Sequence, residues 1–137
     1  MNKSWIANGF TAANALFGGL SIMMSISGEY HVAAICILFA MAADAFDGRV
    51  ARALGTAGPM GVELDSLSDD ISFGVAAGAL MYSYQLRELG ALGFIPCALL
   101  GAFCAFRLAR FNVKVTSIHG YFEGLPCPTV GVIIACY

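Results

Sequence analysis

From Thr11 to Ile26 the chain reads TAANALFGGLSIMMSI without a charged residue, and further apolar runs extend from Tyr30 to Leu54, Gly61 to Tyr84 and Gly90 to Val113. A helix needs about 20 mostly apolar residues to cross a bilayer, and only internally hydrogen-bonded backbone is tolerated in hydrocarbon. Four segments of that kind in 137 residues, at 59% hydrophobic and 12% charged, place the chain outside the range of soluble domains. The expected fold is all-α, a polytopic bundle of transmembrane helices. A fifth apolar run begins near Pro128 with TVGVIIACY and stops at Tyr137, too short to span. Residues 1–137 are therefore expected to be one membrane domain that ends inside its fifth helix.

Glycine and proline mark the joints, in SGEY, GTAGPMG and GYFEGLPCP. Ahead of the first span, KSWIANGF carries Trp5, Ile6 and Phe10 beside polar residues and suits a short helix lying in the interface. The segment has no small-residue cleavage pattern, and no cleavable signal peptide is expected. The five cysteines lack CxxC spacing and read as small packing residues, with no redox or metal role. No basic face for nucleic acid is present. With the amino end inside, Lys3, Arg49, Arg52, Arg107, Arg110 and Lys114 fall on the cytoplasmic side and only Arg87 on the other. That orientation puts the joint between the second and third spans at the cytoplasmic boundary.

The joint is where the acids gather: six of the nine carboxylates lie between Asp44 and Asp70. Asp44 and Asp47 are three apart and Asp65 and Asp69 four apart, spacings that put each pair on one face of its helix. Glu63 and Asp70 fall off those faces. Four carboxylates meeting at a membrane boundary repel one another and need cations or shared protons. All-oxygen donors favour Mg²⁺ or Mn²⁺ over zinc, and a two-metal carboxylate site suits phosphoryl chemistry. Gly48 and Gly61 let backbone and phosphate approach. The alternative, helix-end acids paired with Arg49 and Arg52, explains one Asp but not four at this spacing with small residues on the same faces.

Asp44, Asp47, Gly48, Ala51, Arg52, Gly61, Asp65 and Asp69 fit DxxDGxxAR, eight residues, GxxxDxxxD. This resembles the signature of the CDP-alcohol phosphatidyltransferases, with every fixed position filled. ANGFTAANALFGG, with Asn8, Thr11, Asn14 and Gly18 in register, DDISFGVAAGAL, FRLARFNV and YFEGLPCP are similar to the serine-using branch of that family, although Ala7 and Ala77 stand where that branch has proline. The resemblance covers about Asn8 to Pro128 and implies a fold of typically six spans. It implies transfer of a phosphatidyl group from CDP-diacylglycerol, or an ether-lipid CDP-archaeol analogue, to the hydroxyl of L-serine, with release of CMP.

Under that resemblance Asp44, Asp47, Asp65 and Asp69 hold the metals, and Asp69 is also the general base. Asn8, Thr11, Gly48, Arg52, Gly61 and, in the joint, Thr56 correspond to contacts with the nucleotide and its phosphates. Arg107, Arg110 and Asn112 are candidates for the serine carboxylate or a lipid phosphate, although the two arginines also suit snorkelling at a helix end. His31 and His119 read as solvated or packing residues. Gly18, Gly19 and GVAAGA permit close helix contacts, within one chain or between two, and a homodimer is expected. The competing acceptors are glycerol phosphate and inositol phosphate; a cation transporter is the competing class, but it would distribute acids through the membrane depth.

Overall fold

The computed structural model describes residues 4–55, 59–115 and 127–137, with the side chains at 4–7, 51, 52, 54, 114, 115 and 127 outside the description. Helix α1 runs Ser4–Ser27 and α2 Tyr30–Leu54. Helix α3, Pro59–Asp69, passes without a break through a π-helical turn, Asp70–Val75, into α4, Ala76–Tyr84. A short 3₁₀ turn, Leu86–Leu89, leads to α5, Ala91–Val115, and α6 is Cys127–Cys136. Among the described residues there is no strand, and three stretches are long and apolar enough to cross a membrane: Asn8–Ser27, Tyr30–Val50 and Ala91–Val113.

The turn between α1 and α2 follows from one glycine. Gly28 has φ +86°, and the N–H groups of Gly28 and Glu29 bond the carbonyls of Ser25 and Met24, closing a Schellman cap. The two helices return antiparallel, with Phe17 stacked on Phe39 at 5.7 Å and the Ser21 hydroxyl donating to the Ala33 carbonyl at 2.8 Å.

The burial pattern on α1 inverts that of a water-soluble helix. Thr11, Asn14, Gly18, Ser21 and Ser25, spaced by three or four, are buried against the protein, while Leu16, Leu20, Met23 and Ile26 face outward. In lipid an exposed apolar side chain needs no cover, and association depends on close packing and interhelical hydrogen bonds. Small polar residues supply both.

The rod from Pro59 to Tyr84 is the centre of the bundle, packed by α1, α2, α5 and α6. Its residues Ser72, Phe73 and Gly74, followed by Ala76, Ala77 and Gly78, are buried, and only Ile71 and Val75 in that stretch face outward, so its polar groups are solvated by protein. Neighbours come close only where side chains are absent. A methyl group at Gly18 would lie 2.9 Å from the Ser72 Cα, and one at Gly78 would lie 2.8 Å from the Cys97 carbonyl oxygen.

Two expectations change. The stretch expected as a separate interfacial helix is the first turns of α1, because neither proline nor charge interrupts Ser4 to Thr11 and a single Gly9 costs a helix only about 1 kcal/mol. The segment expected as the third span, Gly61 to Tyr84, is not among those three stretches and is not a simple helix. It carries a π turn directly after Asp69, where the wider turn lets Ser72 and Phe73 both pack inward.

Adjacent glycines on α1 test this packing. Gly18→Ala should lower stability by about 1–3 kcal/mol through overpacking against Ser72. Gly19→Ala, with nothing within 4 Å, should be neutral or slightly stabilising. Thermal unfolding in detergent reads the difference; equal midpoints for the two variants would contradict it.

Candidate active site

Three helices supply the site. The carboxyl-terminal half of α2 carries Asp44 and Asp47, α3 carries Asp65 and Asp69, and the amino-terminal half of α1 lays Thr11 and Asn14 beside them. Oxygens of Asp44, Asp47 and Asp65 lie within 4.8 Å of one another. Asp44 is also within hydrogen-bond reach of Asp65 and of Asp69. Asp47 and Asp69 are buried; Asp44 and Asp65 are half-buried.

Second partners hold the carboxylates. The Thr11 hydroxyl donates to Asp47 Oδ2 at 2.7 Å, and the Asn14 amide donates to Asp69 Oδ1 at 3.1 Å. The Gly48 backbone N–H also bonds the Asp47 carboxylate. Asp65 Oδ1 is buried with no hydrogen-bond partner.

These features fit a hard divalent cation. An ion bound at about 2.0–2.6 Å brings its ligand oxygens to the separations seen here. A buried carboxylate oxygen without a donor is costly unless a cation or proton meets it. The donor set is all oxygen, which suits Mg²⁺ or Mn²⁺.

The other sequence candidates divide by position. Asn8, half-buried on α1, faces the start of α3, its Oδ1 4.0 Å from where a Gly61 Cβ would stand. The Arg52 side chain and Thr56 lie outside the described residues. Asn112 of α5 donates to Ser66 Oγ at 3.0 Å, tying α5 to the residue after Asp65. Arg107 is half-buried whereas Arg110 is exposed, so only the first turns towards the bundle. Glu63 is exposed, and Asp70 bonds Cys104 on the α5 side of the central rod. Asn14 and Ser72 come beside the cluster only in the folded structure. The available signal was the polar stripe Thr11, Asn14, Gly18, Ser21, Ser25 on an otherwise apolar helix.

The family model for CDP-alcohol phosphatidyltransferase matches residues 4–137. The chain belongs to the CDP-alcohol phosphatidyltransferase family. It is 38% identical over 128 residues to a Helicobacter pylori protein named "CDP-diacylglycerol--serine O-phosphatidyltransferase", covering 93% of this chain and 54% of that protein. A Bacillus subtilis protein of the same name is 37% identical over 125 residues, covering 90% of this chain and 70% of the relative. An "Archaetidylserine synthase" of Methanothermobacter thermautotrophicus is 40% identical over 126 residues, covering 90% and 53%. The chain thus spans about half the length of several curated relatives it matches. No solved structure matches it.

The donor to Asp47 gives a direct test of the cluster. Thr11→Val should weaken divalent-ion binding about 10-fold or more by freeing Asp47 to rotate, read by Mn²⁺ titration with electron paramagnetic resonance. Wild-type affinity in that variant would remove Thr11 as a support of the metal site.

Proposed function

We propose that this family member transfers the phosphatidyl group of CDP-diacylglycerol, or of CDP-archaeol, to the hydroxyl of L-serine. The serine oxygen attacks the lipid-bearing phosphorus, the bond to the CMP oxygen breaks, and CMP leaves as the serine proton passes to a base. The carrying observation is the convergence of Asp44, Asp47 and Asp65, with Asp69 against Asp44, at one end of an apolar bundle. Relatives named for serine transfer support the choice of acceptor.

Two divalent ions, Mg²⁺ or Mn²⁺, would neutralise the pyrophosphate and the leaving CMP when bound. Asp44, Asp47, Asp65 and Asp69 are the residues proposed to hold them. Asp69 is also the proposed general base: it is buried, lies at the edge of the cluster, and needs only hydrogen-bond reach to the alcohol. Asn8, Thr11, Gly48, Arg52, Thr56 and Gly61 are assigned to the cytidine and its phosphates. Asn8 and Gly61 lie together where α1 meets α3. Arg107, Arg110 and Asn112 are assigned to the serine carboxylate or a lipid phosphate, with Arg107 favoured by its inward position. The proposal includes a site at the cytoplasmic boundary with the amino end inside, as the Lys and Arg distribution favours, and a homodimer.

Glycerol phosphate or inositol phosphate would bring an added phosphate, for which Arg107, Arg110 and Lys114 are a thin basic cluster. A cation pathway would spread its acids along the bundle, whereas these sit together.

The test is CMP release by the purified protein in lipid vesicles, with L-serine against the phosphorylated alcohols in each metal. Serine-dependent release that requires Mg²⁺ or Mn²⁺ is expected. Asp69→Asn should reduce it by about 10²–10⁴-fold while metal-dependent CDP-lipid binding persists. Faster release with a phosphorylated alcohol would overturn the acceptor, and ion flux without CDP-lipid turnover would overturn the reaction.

A further inference from the structure

Asn14 is fully buried, and each polar group it carries has a separate fate. Its amide nitrogen donates to Asp69 Oδ1 at 3.1 Å, and its backbone carbonyl accepts from the Ser72 hydroxyl at 2.9 Å. Its side-chain oxygen is buried with no hydrogen-bond partner. The amide orientation is fixed by chemistry, since turning it over would set an oxygen against the carboxylate. A buried amide with an unmet acceptor costs about 1–3 kcal/mol. An apolar residue at this position would avoid that cost if packing were its purpose.

Packing does not need the amide. The contact between α1 and the central rod is made by Gly18 lying on Ser72 and by the Ser72 hydroxyl reaching the Asn14 backbone, which any residue at position 14 would offer. What only the side chain supplies is a donor to Asp69. On its other side Asp69 meets Asp44, a group that belongs to the proposed metal cluster. A carboxylate between a metal ligand and nothing else would be free to turn into the cluster.

We infer that Asn14 is a positioning residue for the transfer reaction: its amide holds one Asp69 oxygen, fixes the rotamer, and leaves the other oxygen to take the proton of the acceptor alcohol. This rests on the reading of Asp69 as the base. The π turn is part of the device. Directly after Asp69 it brings Ser72 beneath Asn14, so the residue that carries the proposed base and the residue that orients it are locked to each other across two helices.

The test compares Asn14→Leu, which keeps the branching at Cγ and lacks the donor, and Asn14→Ala with wild type and Asp69→Asn in vesicles. Both Asn14 variants should lose about 10–100-fold in kcat. Their KM for CDP-lipid should stay near wild type while kcat falls, a split that a purely structural residue would not give. A wild-type kcat in either folded variant, with Asp69→Asn inactive, overturns the inference and leaves the base in place. Loss of CDP-lipid binding in step with kcat also overturns it, assigning Asn14 to the fold. Turnover by Asp69→Asn would remove the base, and the positioning role with it.

Discussion

Carboxylates that approach within a few ångström in a bundle wrapped in lipid repel each other, and this repulsion sets the terms for the rest of the molecule. Asp44, Asp47 and Asp65 share a space 4.8 Å across, and Asp69 touches Asp44. Such a group needs cations or shared protons, and helices that hold it together. The helices are fastened by contacts that tolerate no side chain, Gly18 on Ser72 and Gly78 on the Cys97 carbonyl, and by hydrogen bonds from Ser21 to Ala33 and from Asn112 to Ser66. A divalent ion bound among these acids would turn their repulsion into attraction.

The division of the surface follows from the same constraint. Apolar side chains such as Leu16, Met23, Phe39 and Phe103 face outward, and the interior is built from alanine, glycine, serine and threonine around Ile37 and Phe73. Such an interior brings backbones close and supplies the donors that the carboxylates require. Thr11 and Asn14 serve two different acids from one face of α1. A leucine-filled core would give neither the proximity nor the polarity.

Much of this was readable in the chain. The hydropathy runs gave α1, α2 and α5 because length and apolarity are local properties. The three- and four-residue spacings of the acids put each pair on one helix face, and the facing of α2 and α3 follows from the short joint between them. Other features were not local. The π turn after Asp69 arises because Ser72 and Phe73 must both point inward, to α1 and α6. The different burial of Arg107 and Arg110, three residues apart, depends on how α5 is rotated against the central rod. The place of Asn14 is also non-local, since only the packing of α1 on α3 brings its amide to Asp69.

The central claim is that the Asp44, Asp47 and Asp65 cluster is a divalent-metal site. Crystals of the protein with Mn²⁺ and a CDP-lipid, measured for anomalous scattering, address it most directly. The account predicts a manganese peak at about 2.0–2.6 Å from oxygens of all three residues. A map with no peak there, and with these carboxylates paired to arginine side chains, would contradict it.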